Sequence, residues 1–159
     1  MTSVAIQDLY PDEFSYCYGC GRLNLHGLHI RSFWDGSEAV ATFMPGPHHV
    51  AVPGYVYGGL IASLLDCHGI ATAAAVAEQA AGRQVGQGPV PRYVTAALQV
   101  NYLAPTPVGT VLEIRGQPKE MSARKVRVAV SLSAGDTVCA RGEVVAVQMP
   151  ESMGGGHGT

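Results

Sequence analysis

One carboxylate stands in a stretch otherwise made of small and aliphatic residues: Asp66, inside Leu64-Leu65-Asp66-Cys67. At helical spacings of three, four and seven its neighbours are Gly59, Ala62, Ser63, Gly69, Ile70 and Ala73, so its face is narrow and has room beside it. A carboxylate in apolar surroundings costs several kcal/mol unless it is paired or kept for chemistry. Seven residues earlier, on the same face, Gly58-Gly59 opens the segment. Backbone N–H groups at a helix start, unshielded by side chains, suit a negatively charged or polarised oxygen. A carbonyl donor site and a base on one helix face point to attack on an ester or thioester.

Other titratable groups fit this pattern less well. His68 follows Asp66 by two residues and points about 160° away on a helix, so it forms no dyad there. His48 and His49 lie in the loop before Gly58, either lining an entrance or exposed to solvent. Cys17-x2-Cys20 with His26 and His29 has an incomplete zinc spacing and no second cysteine pair. The expectation is a turn packing two small thiols, with no metal and no cofactor.

The elements that must position these residues follow from pattern. Leu60, Ile61, Leu64 and Leu65, then an alanine-rich run to Ala81, form a helix of about 22 residues, roughly 33 Å long. Gly82 ends it. Before it, His29–Trp34 and Glu38–Met44 form a hairpin about Asp35-Gly36, and Pro45–Gly59 is a loop. After it come four strands with no helix between them: Val94–Tyr102, Val111–Pro118, Val126–Leu132 and Val138–Met149, with Gly142 a bulge or bend. Such strands pair antiparallel. Met1–Tyr16 reads as a polar lead-in with room for a short helix, residues 17–149 as one domain, and residues 150–159 as a flexible Gly-rich tail.

Composition narrows the class. Of 159 residues, 47% are hydrophobic and only 14% charged, which favours buried subunit interfaces. Net charge is -2, with no basic patch to hold nucleic acid or an anionic membrane. The N-terminus lacks a signal-peptide pattern, and Asp66, His68 and Glu78 interrupt the apolar helix, so no membrane span is expected. Four cysteines at irregular spacing suit a reduced, cytoplasmic protein.

Several of these segments together resemble one family. Tyr57-Gly58-Gly59-Leu60-Ile61-Ala62-Ser63-Leu64-Leu65-Asp66 resembles the His-Gly-Gly…Asp segment of hotdog-fold acyl-CoA thioesterases of the phenylacetyl-CoA type. CYGCGRLNLHGL resembles their Cys-x-x-Cys-Gly opening, VNYLAPTPVG the strand after the helix, and ARGEVVAV the last strand. The resemblance covers residues 17–149. It implies an α+β hotdog fold, one long central helix wrapped by a curved antiparallel sheet of five to six strands. It implies hydrolysis of an acyl-CoA, with Asp66 as general base or nucleophile, the Gly59 N–H as oxyanion donor and Thr95 placing the water. Tyr57, Gly58 and Ser63 would contact substrate. A homodimer or homotetramer is implied, each site using residues of two chains. Tyr57 replaces the family's His: it keeps a hydrogen-bond donor but cannot titrate near neutral pH. That substitution leaves a second reading open, a non-catalytic binder of acyl or CoA ligands.

Overall fold

The alanine-rich run does form the central rod. In a computed structural model, which describes residues 1–154, α1 spans Gly58–Ala80. Its end is a Schellman turn: Gly82, at φ +75°, donates to the Gln79 carbonyl, and the Arg83 N–H to the Glu78 carbonyl. By length and composition α1 could cross a bilayer, contrary to the reading that its polar residues forbid this. Instead it is packed on nearly every side, with Leu64, Leu65, Ala71 and Ala73–Ala75 fully buried.

Around it runs one curved antiparallel sheet of six strands, in the order β1-β2-β6-β7-β8-β5. These are β1 (Ser32–Trp34), β2 (Ala39–Phe43), β5 (Tyr93–Tyr102), β6 (Leu112–Met121), β7 (Lys125–Ala134) and β8 (Thr137–Gln148). Alternate residues of β6, β7 and β8, among them Leu112, Ile114, Val126, Val128, Leu132 and Val144, face the helix and are buried. Small residues bring the layers close. A Cβ on Gly69 of α1 would lie 2.5 Å from Val144, and one on Gly116 of β6 would lie 2.2 Å from the Thr72 hydroxyl.

Four details differ from the pattern-based expectation. The stretch after Pro45 is not all loop, for β3 (Val50–Val52) and β4 (Tyr55–Val56) pair in it as a separate two-stranded ribbon. Asp35-Gly36 lies in a longer connection, because Trp34 pairs with Ala39; Asp35 Oδ1 accepts from the Ser37 and Glu38 N–H groups. Gly142 stays in register, and the irregularity of β5 against β8 falls between Thr95 and Ala97. Gly142 is needed for close approach instead: a Cβ there would lie 2.0 Å from the Gln99 carbonyl oxygen. Finally, the N-terminal segment is no polar lead-in throughout. Two short 3-10 turns, Ile6–Leu9 and Asp12–Phe14, carry Ala5, Ile6 and Tyr10 into the core. Of the tail, Glu151–Gly154 form one helical turn, and residues 155–159 lie outside the described ones.

Candidate active site

Asp66 is held where α1 passes β5. The Thr95 hydroxyl donates to Asp66 Oδ1 at 2.6 Å, so two residues expected in the site are brought into contact. The irregularity that follows Thr95 changes the side-chain alternation of β5 beside the carboxylate. Asp66 is half-buried, and burial pushes its carboxyl above the usual carboxylate range. The Thr95 hydrogen bond opposes that shift, the Cys17 thiol beside it adds to it, and the Arg92 charge lowers it. Among the described residues Thr95 is the only side-chain partner of the carboxylate, and its other oxygen has none. From Thr95 to Gln99, β5 is exposed and forms one edge of the sheet.

The start of α1 is arranged for donation. The N–H groups of Leu60 and Ile61 turn back to the Tyr57 carbonyl, leaving those of Gly58 and Gly59 with no acceptor among the described residues. Tyr57 is half-exposed and its ring covers Gly59: a Cβ on that glycine would lie 2.3 Å from the ring. The Tyr102 hydroxyl donates to the Gly58 carbonyl at 2.7 Å and so braces the same turn from β5. Nothing local in the sequence marks Tyr102 for this, because the contact joins residues far apart in the chain. Ser63 spends its hydroxyl proton on the Gly59 carbonyl at 2.8 Å.

Of these, Tyr57, Gly59 and Ser63 border a cleft of about 730 Å³. Gly59, Leu60 and Ser63 form its helical wall, Tyr57, His48 and His49 its rim, and Tyr18, Leu28 and Phe43 its apolar side. His48 and His49 thus line an entrance, their rings 4.0 Å apart. The Gly46 N–H donates to His49 Nδ1, and burial followed by the His48 charge lowers the His49 pKa, so this ring is neutral. Asp66 does not border the cleft. Seven residues of helix put Gly59 and Asp66 about 10 Å apart along the axis, so one chain does not bring both to one small group.

His68 is a core residue. It is completely buried, Nε2–H donating to the Ala39 carbonyl at 2.9 Å and Nδ1 accepting from the Ser32 hydroxyl at 2.8 Å. The carbonyl can only accept, which fixes the neutral tautomer. Gln7 completes the set, donating to Ser32 Oγ and accepting from the Ser32 N–H.

For a soft metal, the described residues offer one cluster. Cys17, Cys20 and Cys67 place their sulfurs within 4.8 Å of one another. His26 and His29 are elsewhere: His26 lines the cleft, and the His29 ring bonds the Asn24 carbonyl.

The chain is similar to known proteins over most of its length. The thioesterase superfamily profile matches residues 53–140. An acyl-coenzyme A thioesterase of Xenopus laevis, THEM4, is 30% identical over 112 residues, 69% of this chain and 45% of that protein. The chain therefore spans less than half the length of that relative. A thioesterase superfamily protein from Shewanella loihica PV-4, solved as a crystal structure, is 49% identical. It superposes with a TM-score of 0.67 over 87% of this chain and 98% of that one. The Escherichia coli PaaI protein of the phenylacetic acid degradation operon is 17% identical, with a TM-score of 0.63, covering 77% of this chain and 81% of its own. At that identity the likeness is one of fold. The fold is the hotdog fold, at six strands in the main sheet.

Proposed function

Because the chain belongs to the thioesterase superfamily, we propose that it hydrolyses the thioester of an acyl-CoA, with Asp66 as general base or nucleophile and the Gly59 N–H as oxyanion donor. The observation that carries this reading is the Asp66–Thr95 pair: a partly desolvated carboxylate, oriented by one hydroxyl, whose second oxygen has no partner among the described residues. Desolvation makes the carboxylate a better proton acceptor for water, or a better nucleophile toward the acyl carbon. The free N–H groups at the start of α1 suit the oxygen on which charge develops, and the helix dipole adds to their pull.

Since Gly59 and Asp66 of one chain are too far apart to share a carbonyl, the working unit is a homodimer, or a tetramer built from it. Asp66 and Thr95 of one chain would face Tyr57, Gly58, Gly59 and Ser63 of the other. The open edge of β5, with Leu98 and Tyr102 exposed, supports such pairing, because an uncovered strand edge offers unpaired N–H and C=O groups to a second sheet. The cleft behind Tyr57 would take the acyl or aromatic-acyl group against Tyr18, Leu28 and Phe43. Four free cysteines fit a reducing, cytoplasmic setting.

A second reading rests on Tyr57. Its ring sits over Gly59, and a ring that stays there would shield the donor from a carbonyl, leaving a protein that binds acyl-CoA without cleaving it. A thiol-release assay over short, long and aromatic acyl-CoAs, run on the wild type and on Asp66→Asn, separates the readings. Release that depends on Asp66 supports hydrolysis. Binding without release at every chain length supports the binder, and release that persists undiminished in Asp66→Asn removes Asp66 from the chemistry.

A further inference from the structure

Three sulfurs meet where the N-terminal turn crosses α1. Cys17 and Cys20 belong to the turn and Cys67 to the helix; no two of them form a disulfide. Cys17 Sγ and Cys67 Sγ are 3.8 Å apart. The turn is built to this tightness. The Gly21 N–H donates to the Cys17 carbonyl at 2.7 Å, and a Cβ on Gly21 would lie 2.4 Å from the Cys17 nitrogen. Gly19 lets the turn rest directly on the helix, since a Cβ there would lie 2.3 Å from Cys67 Sγ.

The spacing matches a metal better than a disulfide. A tetrahedral Zn2+ with bonds of about 2.3 Å holds its sulfurs about 3.8 Å apart, as Cys17 and Cys67 stand, and the remaining separations need to close by at most about 1 Å. A disulfide needs about 2.05 Å and would leave the third sulfur unpaired. Among the described residues, the buried Tyr10 hydroxyl and Arg92 Nη1 have no hydrogen-bond partner. The Arg92 guanidinium carbon stands 4.7 Å above the Tyr10 ring, and its charge reaches Cys20. A divalent ion with three thiolates carries one net negative charge, which a neighbouring guanidinium offsets.

We propose that Cys17, Cys20 and Cys67 bind one thiophilic divalent ion, Zn2+, as a three-thiolate site whose fourth position is taken by water. Binding replaces the cysteine S–H bonds by S–Zn bonds, the protons passing to solvent. The ion ties the N-terminal turn to α1 one residue beyond Asp66. The expectation of no metal looked for the missing ligand at His26 or His29, near Cys20 in sequence, whereas the third ligand stands on the helix.

The test uses the full chain, stripped with a chelator and kept reduced by a phosphine. Titration with Co2+ is expected to give a near-ultraviolet thiolate-to-cobalt band saturating at one ion per chain, displaced by Zn2+, with Zn2+ raising the melting temperature. Cys17→Ser and Cys67→Ser are each expected to weaken Zn2+ binding at least tenfold, measured against a chromophoric chelator. Cys139→Ala, which alters a thiol beside the Pro105 carbonyl, is expected to bind as the wild type does. A folded, reduced wild-type chain that takes up neither ion overturns the proposal, as does a cobalt band that survives in Cys67→Ser. If the serine variants fail to fold, the wild-type titration decides alone.

Discussion

Asp66 and His68 lie two residues apart on one helix and are treated in opposite ways. His68 is fully buried and each ring nitrogen has a partner, with Ser32, Ala39 and Gln7 closing the network. Asp66 is only half-buried and has one side-chain partner, Thr95. The first arrangement joins the N-terminal segment, β1 and β2 to the helix, and costs nothing in unmet hydrogen bonds. The second leaves an oxygen free and a charge partly desolvated, which native structures tolerate mainly where the group has work to do. A polar group in an apolar helix is therefore not informative in itself; the count of its satisfied atoms is.

Substitution at the two positions should split activity from stability, and the largest effect is at Asp66. Asp66→Asn is expected to lower the thiol-release rate by about 10²–10⁴-fold, the range typical of a lost general base. Its folding stability should hold or rise, because the burial that lifts the carboxyl above its usual range is a cost of keeping it charged. A variant that loses stability and rate together would make Asp66 a structural group like His68. His68→Leu is the converse. It strands the Ser32 hydroxyl and the Ala39 carbonyl in the core, for a loss of about 3 kcal/mol in denaturant unfolding, while the turnover of the remaining folded protein changes little. Loss of turnover without loss of stability would bring His68 into the reaction after all.

The same comparison predicts a pH dependence of folding. Burial lowers the His68 pKa to about 4, from an ordinary value near 6.5. Because the unfolded chain binds the proton more readily, this contribution is complete above pH 6.5 and is lost as pH falls from there through 4. The loss is at most on the order of 3 kcal/mol. Urea unfolding of the wild type and of His68→Leu, with chelator present, isolates it: the slope between pH 6.5 and 4 should be shallower in the variant. Equal slopes would mean that other groups carry the acid sensitivity.

How much of this was legible before the structure depends on the range of each contact. The helix, its Gly82 end and the antiparallel sense of the strands follow from local periodicity and turn chemistry, and α1 matches its expected bounds almost to the residue; the strand order, with β5 beside β8 and β6 beside β2, does not. Asp66 was legible because its neighbours on the helix are small. The Thr95 partner came from family likeness alone, since no local pattern pairs residue 95 with residue 66. Tyr102 bracing Gly58, Gln7 reaching Ser32, and Cys67 joining Cys17 were not legible, for each closes a loop through the tertiary fold. The irregularity after Thr95 was misplaced at Gly142 because glycine marks both bulges and close approaches, and only coordinates tell these apart.

The smallest expected effect gives the sharpest test of what Thr95 does. Its hydroxyl donates to Asp66 Oδ1, so it stabilises the charged carboxylate, against the burial that raises the pKa, and fixes which oxygen remains free. Thr95→Val keeps the shape and removes the donor. Without that bond the carboxyl should take up protons at higher pH, so the acidic limb of the rate profile should move upward. The rate on the plateau should fall about tenfold, the equivalent of one charge-assisted hydrogen bond of roughly 1.4 kcal/mol. Thr95→Ser restores the hydroxyl and should restore both the limb and the rate. A purely packing role would give the reverse order, with the valine variant tolerated and the serine variant, which leaves a methyl-sized gap, the more damaged of the two.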